Sequence, residues 1–140
     1  MASPFVFPII AMICLTAIVL GVAVANRVVE IYKRRISLQS LARASDTAKV
    51  LQNTQAIDNF NNLMQLPILF YLLCLALMQM GDGASIFFVV GTWLYTILRM
   101  LHSVIQITYN RVLHRFYVWA TSTLVLFTLW GKFAFLILVK

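Results

Sequence analysis

Tyr95, Arg99, His102, Gln106 and Tyr109 follow one another at spacings of four, three, four and three, which sets five hydrogen-bonding side chains in one row along a helix. A second row, Gln55, Asp58, Asn62 and Gln65, runs at three, four and three. A guanidinium in such a row can act as a preorganised clamp on an anionic group. The same rows could instead be interhelical glue, and for Asn62 and Gln65 both readings stay open. Arg99 and His102 together point to a site.

The chain around these rows has 140 residues, of which 62% are hydrophobic and 11% charged, with a mean hydropathy of +0.91. That apolar share is well above the roughly half of a soluble domain, and it excludes a soluble enzyme or a disordered tail. The two cysteines, Cys14 and Cys74, make neither a disulfide framework nor a metal or redox motif. Both read as inert packing residues. About twenty apolar residues cross a bilayer core, so four crossings fit. The expected spans are about 5–27, 51–80, 84–108 and 116–138, forming one all-α, integral membrane four-helix bundle.

Charge placement sets the expected orientation. Arg27, Lys33, Arg34, Arg35, Arg43 and Lys49 crowd the polar stretch 27–49 against Glu30 and Asp46, and Val50 to Leu98 contains no Lys or Arg. The short connection Asn110 to Arg115 adds Arg111 and Arg115, whereas Asp82 and Lys140 fall on the other side. The positive-inside rule then puts both termini on the non-cytoplasmic side of a bacterial inner or organellar membrane. Tyr32, Tyr109, Tyr117 and Trp119 sit where an inner aromatic belt belongs. The basic residues are read as orienting charges and lipid contacts, with no nucleic-acid partner.

Helices two and three should form an antiparallel hairpin about Gly81-Asp82-Gly83, so positions whose numbers sum to about 164 share a depth. Asn62 then lies level with His102, Gln65 with Arg99, and Asp58 with Gln106. A charge at mid-bilayer costs from about 2.5 to more than 10 kcal/mol, which turns Arg99 inward toward Gln65 and Asp58 as acceptors. Pro67 should kink helix two and loosen the carbonyl of Leu63. Ala17, Gly21 and Ala25 offer small residues for close helix approach.

The run Asn62-Leu63-Met64-Gln65-Leu66-Pro67 resembles the Asn-x-x-Glu and nearby Pro on the second helix of the MAPEG family, the membrane-associated proteins of eicosanoid and glutathione metabolism. Arg99-Met100-Leu101-His102-Ser103-Val104 resembles the Arg-x-x-His-Thr/Ser run on that family's third helix, and Asp58 to Leu75 is most similar to bacterial-type members. The resemblance implies a homotrimer with glutathione held between protomers at a cytoplasm-facing pocket. It implies a transferase or peroxidase acting on lipophilic electrophiles or lipid hydroperoxides. Arg99 is then the catalytic candidate, with Asn62, Gln65, His102, Tyr95, Tyr109 and Arg111 binding glutathione. Three positions depart from the family's catalytic pattern: Asp58 replaces an Arg, Gln65 a Glu and Gln106 a Tyr. Asp58 and Gln106 favour the alternative, a non-catalytic accessory or assembly subunit of a larger membrane complex.

Overall fold

The computed structural model describes residues 3–41, 51–80 and 85–139, and apart from turns these are helical. Five helices follow in order: α1 (Val6–Arg34), α2 (Gln55–Leu63), α3 (Pro67–Gln79), α4 (Ile86–Ile107) and α5 (Val112–Leu138). A short 3-10 turn, Leu38–Leu41, follows α1. Because α2 and α3 share one span, Gln55–Gln79, four helical segments are long and apolar enough to cross a membrane. The expected four-helix architecture is what the chain adopts.

Helix α1 tolerates Pro8 because the first-turn N–H it removes has no intrahelical acceptor in any case. It continues seven residues beyond the expected end at 27, carrying Arg27, Glu30, Lys33 and Arg34 on helix. Arg35 stops it in the left-handed conformation, φ 51, with its N–H returned to the Ile31 carbonyl. Lys33 and Arg34 in the last turn oppose the negative end of the helix dipole. Glu30 accepts from Arg34 at 2.7 Å and from the main-chain N–H groups of Gln52 and Asn53 at 2.9 and 3.2 Å. That carboxylate fixes where the chain re-enters the bundle.

The break between α2 and α3 follows from Pro67, which has no N–H to offer the Leu63 carbonyl. The ladder tightens there into three-residue closures, Gln65 N–H to the Asn62 carbonyl and Ile68 N–H to that of Gln65. On α4, Ser85 caps the first turn by accepting from the Phe87 N–H at 3.3 Å. Gly91 lets α5 approach closely, since a Cβ there would meet the Leu129 side chain. The core between the helices holds Met12, Phe70, Leu73, Leu77, Phe88 and Leu126, with Phe70 stacked on Tyr95 at 4.8 Å. Trp130 Nε1 donates to the Leu69 carbonyl at 3.2 Å, tying α5 to α3.

Ala17, Gly21 and Ala25 are exposed on the single chain, and nothing lies within 4 Å of a Cβ built on Gly21; the buried face of α1 is Met12, Val19 and Ala23. Other expectations are corrected. Cys14 is exposed and only Cys74 is packed inside. The second connection is shorter than expected, because α5 starts at Val112 and so carries His114 and Arg115 on its first turn. Lys132, which the charge count passed over, is exposed on α5 near its C-terminal end. The Gly81-Asp82-Gly83 turn, Arg43, Asp46, Lys49 and Lys140 lie outside the described residues.

Candidate functional site

Eight residues of α4 face the interior: Phe88, Thr92, Tyr95, Thr96, Arg99, His102, Ser103 and Gln106. Thr92 and Thr96 satisfy their hydroxyls on their own helix, at the carbonyls of Phe88 and Thr92, both 2.9 Å. From Arg99 onward the side chains reach other helices. The chemistry is therefore confined to the half of α4 that leads into the connection to α5.

Arg99 is fully buried and donates through Nη2 to the main-chain carbonyl of Asn62 at 3.0 Å. That carbonyl is available because the break before Pro67 leaves it a long closure from Gln65 N–H, 3.4 Å, and a share of the Met64 N–H, which also reaches the Phe60 and Asn61 carbonyls. Nε and Nη1 of Arg99 have no partner, and neither have Asn59 Nδ2 and the Tyr95 hydroxyl. Every atom in this unsatisfied set can donate a hydrogen bond. Among the described residues no carboxylate pairs with Arg99: the one ion pair is Arg34 with Glu30, and Asp58 accepts from the Thr54 hydroxyl at 3.0 Å. The expected acceptors for Arg99 are thus replaced by a peptide carbonyl, which carries no full charge.

One turn further along, His102 Nδ1–H donates to the Arg115 carbonyl at 3.2 Å. Its Nε2 lies 3.0 Å from Gln106 Oε1, which also accepts from Asn62 Nδ2 at 3.3 Å. Two donors meeting on one amide oxygen suit an imidazole protonated on both nitrogens. In the neutral ring Nε2 becomes an acceptor, and Gln106 and Asn62 exchange roles so that Gln106 donates to both. Ring protonation and amide orientation are therefore coupled. Ser103 Oγ donates to Asn59 Oδ1 at 3.2 Å, a second link between α4 and α2.

Beside this network opens a cleft of about 480 Å³. Asp58, Asn61 and Asn62 of α2 form one wall, His102 and Gln106 of α4 the floor, and Val112, Arg115, Phe116 and Trp119 of α5 the other wall. The Arg115 guanidinium is steadied by Nη1 donating to Asn110 Oδ1 at 2.9 Å, and Asn110 takes a left-handed φ of 44 that lets the chain turn sharply into α5. On the far side of α2 a second cleft, about 470 Å³, shares Asp58 and Asn61 with the first. Its other walls are mostly apolar, including Ala23, Val24, Leu41, Leu51 and Ile57, with Arg27 among them.

The structure thus brings Tyr95, Arg99, His102 and Asn62 together, and it places Gln65, Tyr109 and Arg111 elsewhere. Gln65 is exposed in the break after α2, two residues beyond Leu63, which with Ala56 and Asn59 makes the inward face of that helix. Tyr109 is exposed with its hydroxyl 3.3 Å from His114 Nδ1, and Arg111 is exposed at the start of α5. Four contributors escaped the sequence reading: Asn59, Ser103, Arg115 and Trp119. Ser103 stands directly after His102 on the same inward arc. Arg115 and Trp119 are four apart, a spacing that becomes one helix face only because the helix already starts at Val112.

A family model described as the MAPEG family matches residues 1–135 of the chain. No curated protein and no solved structure matches it.

Proposed function

Because this chain belongs to the MAPEG family, we propose that it is a glutathione-dependent transferase or peroxidase of the membrane, acting as a homotrimer on lipophilic electrophiles or lipid hydroperoxides. One observation carries the reading: a fully buried guanidinium, Arg99, with two unused N–H groups and, among the described residues, no carboxylate beside it. An uncompensated buried cation is costly, and an anion brought to it recovers charge-assisted hydrogen bonds. Glutathione fits the donor-only set, because its carboxylates and sulfur accept what Arg99, Asn59 and Tyr95 offer. When bound, it supplies the thiol that serves as nucleophile or reductant.

The chain's own residues then divide the work. Arg99, buried behind the cleft lining, favours negative charge there, and Arg115 offers a second cation on the cleft wall itself. His102, Gln106 and Asn62 hold or release one proton as a hydrogen-bonded unit. Trp119 and Phe116 give the cleft an apolar wall against which a peptide backbone can lie. The apolar cleft on the other side of α2 suits the lipophilic partner, separated from the polar one by Asp58 and Asn61. Gln65, Tyr109 and Arg111, exposed on one chain, are proposed to complete the site from a neighbouring protomer.

The test is a calorimetric titration of the protein in nanodiscs with glutathione, coupled to an assay of conjugation to 1-chloro-2,4-dinitrobenzene and of cumene hydroperoxide reduction. Saturable binding with turnover of either substrate is expected. No heat and no product at millimolar glutathione would overturn the reading in favour of an accessory subunit.

A further inference from the structure

The polar cleft carries opposite charges on facing walls. Arg115 projects from α5, and Asp58 from α2. Of the two carboxylates among the described residues, Glu30 is engaged by Arg34 and by two main-chain N–H groups, whereas Asp58 takes one hydrogen bond, on Oδ2 from the Thr54 hydroxyl. Asp58 has no ion pair among the described residues. It borders both clefts, so any molecule lying between the α2 wall and the α5 wall passes it. A ligand that were only an anion would meet repulsion there. One that also carries an ammonium would place it against Asp58 while its acidic groups reach toward Arg115.

We infer that Asp58 is a specificity-determining residue that reads a primary ammonium on the ligand, so that the polar cleft selects zwitterions over simple anions of the same shape. Phe116 and Trp119, which line the same cleft, reinforce the choice, since aromatic faces attract cations. Selection arises from both signs: attraction of the ammonium, and desolvated like-charge repulsion against an anion that lacks one. The inference rests on the reading that glutathione is the ligand, and names the γ-glutamyl amino group as the part Asp58 recognises.

Two tripeptides separate the possibilities by calorimetry on the full-length protein in nanodiscs: glutathione, and glutaryl-Cys-Gly, which differs by loss of that amino group. Wild type should bind glutathione about tenfold more tightly, the scale of one partly solvated charge-assisted hydrogen bond. Asp58→Asn should bring the two ligands to within about twofold of each other. Asp58→Arg should reverse the order, and because Asp58 is exposed both variants should keep the wild-type thermal midpoint. Equal binding of the two tripeptides by wild type, or a preference that survives Asp58→Asn, overturns the inference and leaves glutathione binding standing. Failure of wild type to bind either tripeptide overturns the functional reading and this inference with it.

Discussion

Arg99 keeps two N–H groups in reserve, while the polar side chains just after it on α4 are nearly all spoken for. His102, Gln106 and Asn62 share one amide oxygen, and Ser103 is bound to Asn59. Removing the shared acceptor should be costly, because it strands a ring nitrogen and an amide together. Gln106→Leu is expected to destabilise the bundle by about 1–3 kcal/mol, measured as a lowered thermal midpoint in nanodiscs, with the midpoint of Gln106→Glu falling less. An unchanged midpoint for Gln106→Leu would mean the network contributes nothing to stability. Arg99 and His102 were legible in the sequence because a guanidinium inside an apolar span has few places to turn. Its acceptor was not, since a main-chain carbonyl has no letter of its own.

Helix α4 kept its inward row from Tyr95 to Gln106 because it is one unbroken helix, for which spacing of three and four maps directly onto a face. Helix two did not, and the buried set Ala56, Asn59 and Leu63 is offset by a residue from the row of polar letters. Near the membrane edge a polar side chain can face protein, water or a neighbouring protomer equally well, so polarity alone does not choose the face. The kink at Pro67 was foreseeable, but which freed carbonyl Arg99 would take was not.

That break is expected to serve the site. In Pro67→Ala, α2 and α3 can join, and Leu66 N–H then competes for the Asn62 carbonyl. Glutathione affinity should fall about tenfold, one charge-assisted hydrogen bond, while the thermal midpoint holds or rises; calorimetry beside thermal unfolding checks both. At the opposite end of α4, Gly91→Val should cost about 1–3 kcal/mol by overpacking against Leu129. Leu129→Ala in the same chain should recover most of that loss, read from the two single midpoints and the double.

At the scale of the whole molecule, large apolar side chains such as Phe7, Ile18, Ile86, Leu124 and Phe135 are exposed along α1, α4 and α5, as a multi-pass membrane protein requires. Composition and hydropathy made that architecture legible, because span length is fixed by bilayer thickness. Orientation rests on charge: Arg27, Lys33, Arg34 and Arg35 gather at one end of α1, against Lys132 toward the far end of α5. With Cys14 and Cys74 replaced by serine, Lys33→Cys should be labelled by an impermeant maleimide only from the cytoplasmic side, and Val139→Cys only from the other. Labelling in the reverse sense would invert the topology.

The most direct measurement compares thermal unfolding of wild type and Arg99→Met in nanodiscs, each with and without saturating glutathione. Met fills similar space without a charge to desolvate, so the ligand-free variant should be more stable by about 1–4 kcal/mol, and glutathione should raise the midpoint of wild type alone. A ligand-free variant less stable than wild type, together with an undiminished glutathione shift, would contradict the claim that a buried, unpaired guanidinium is held open for an anion.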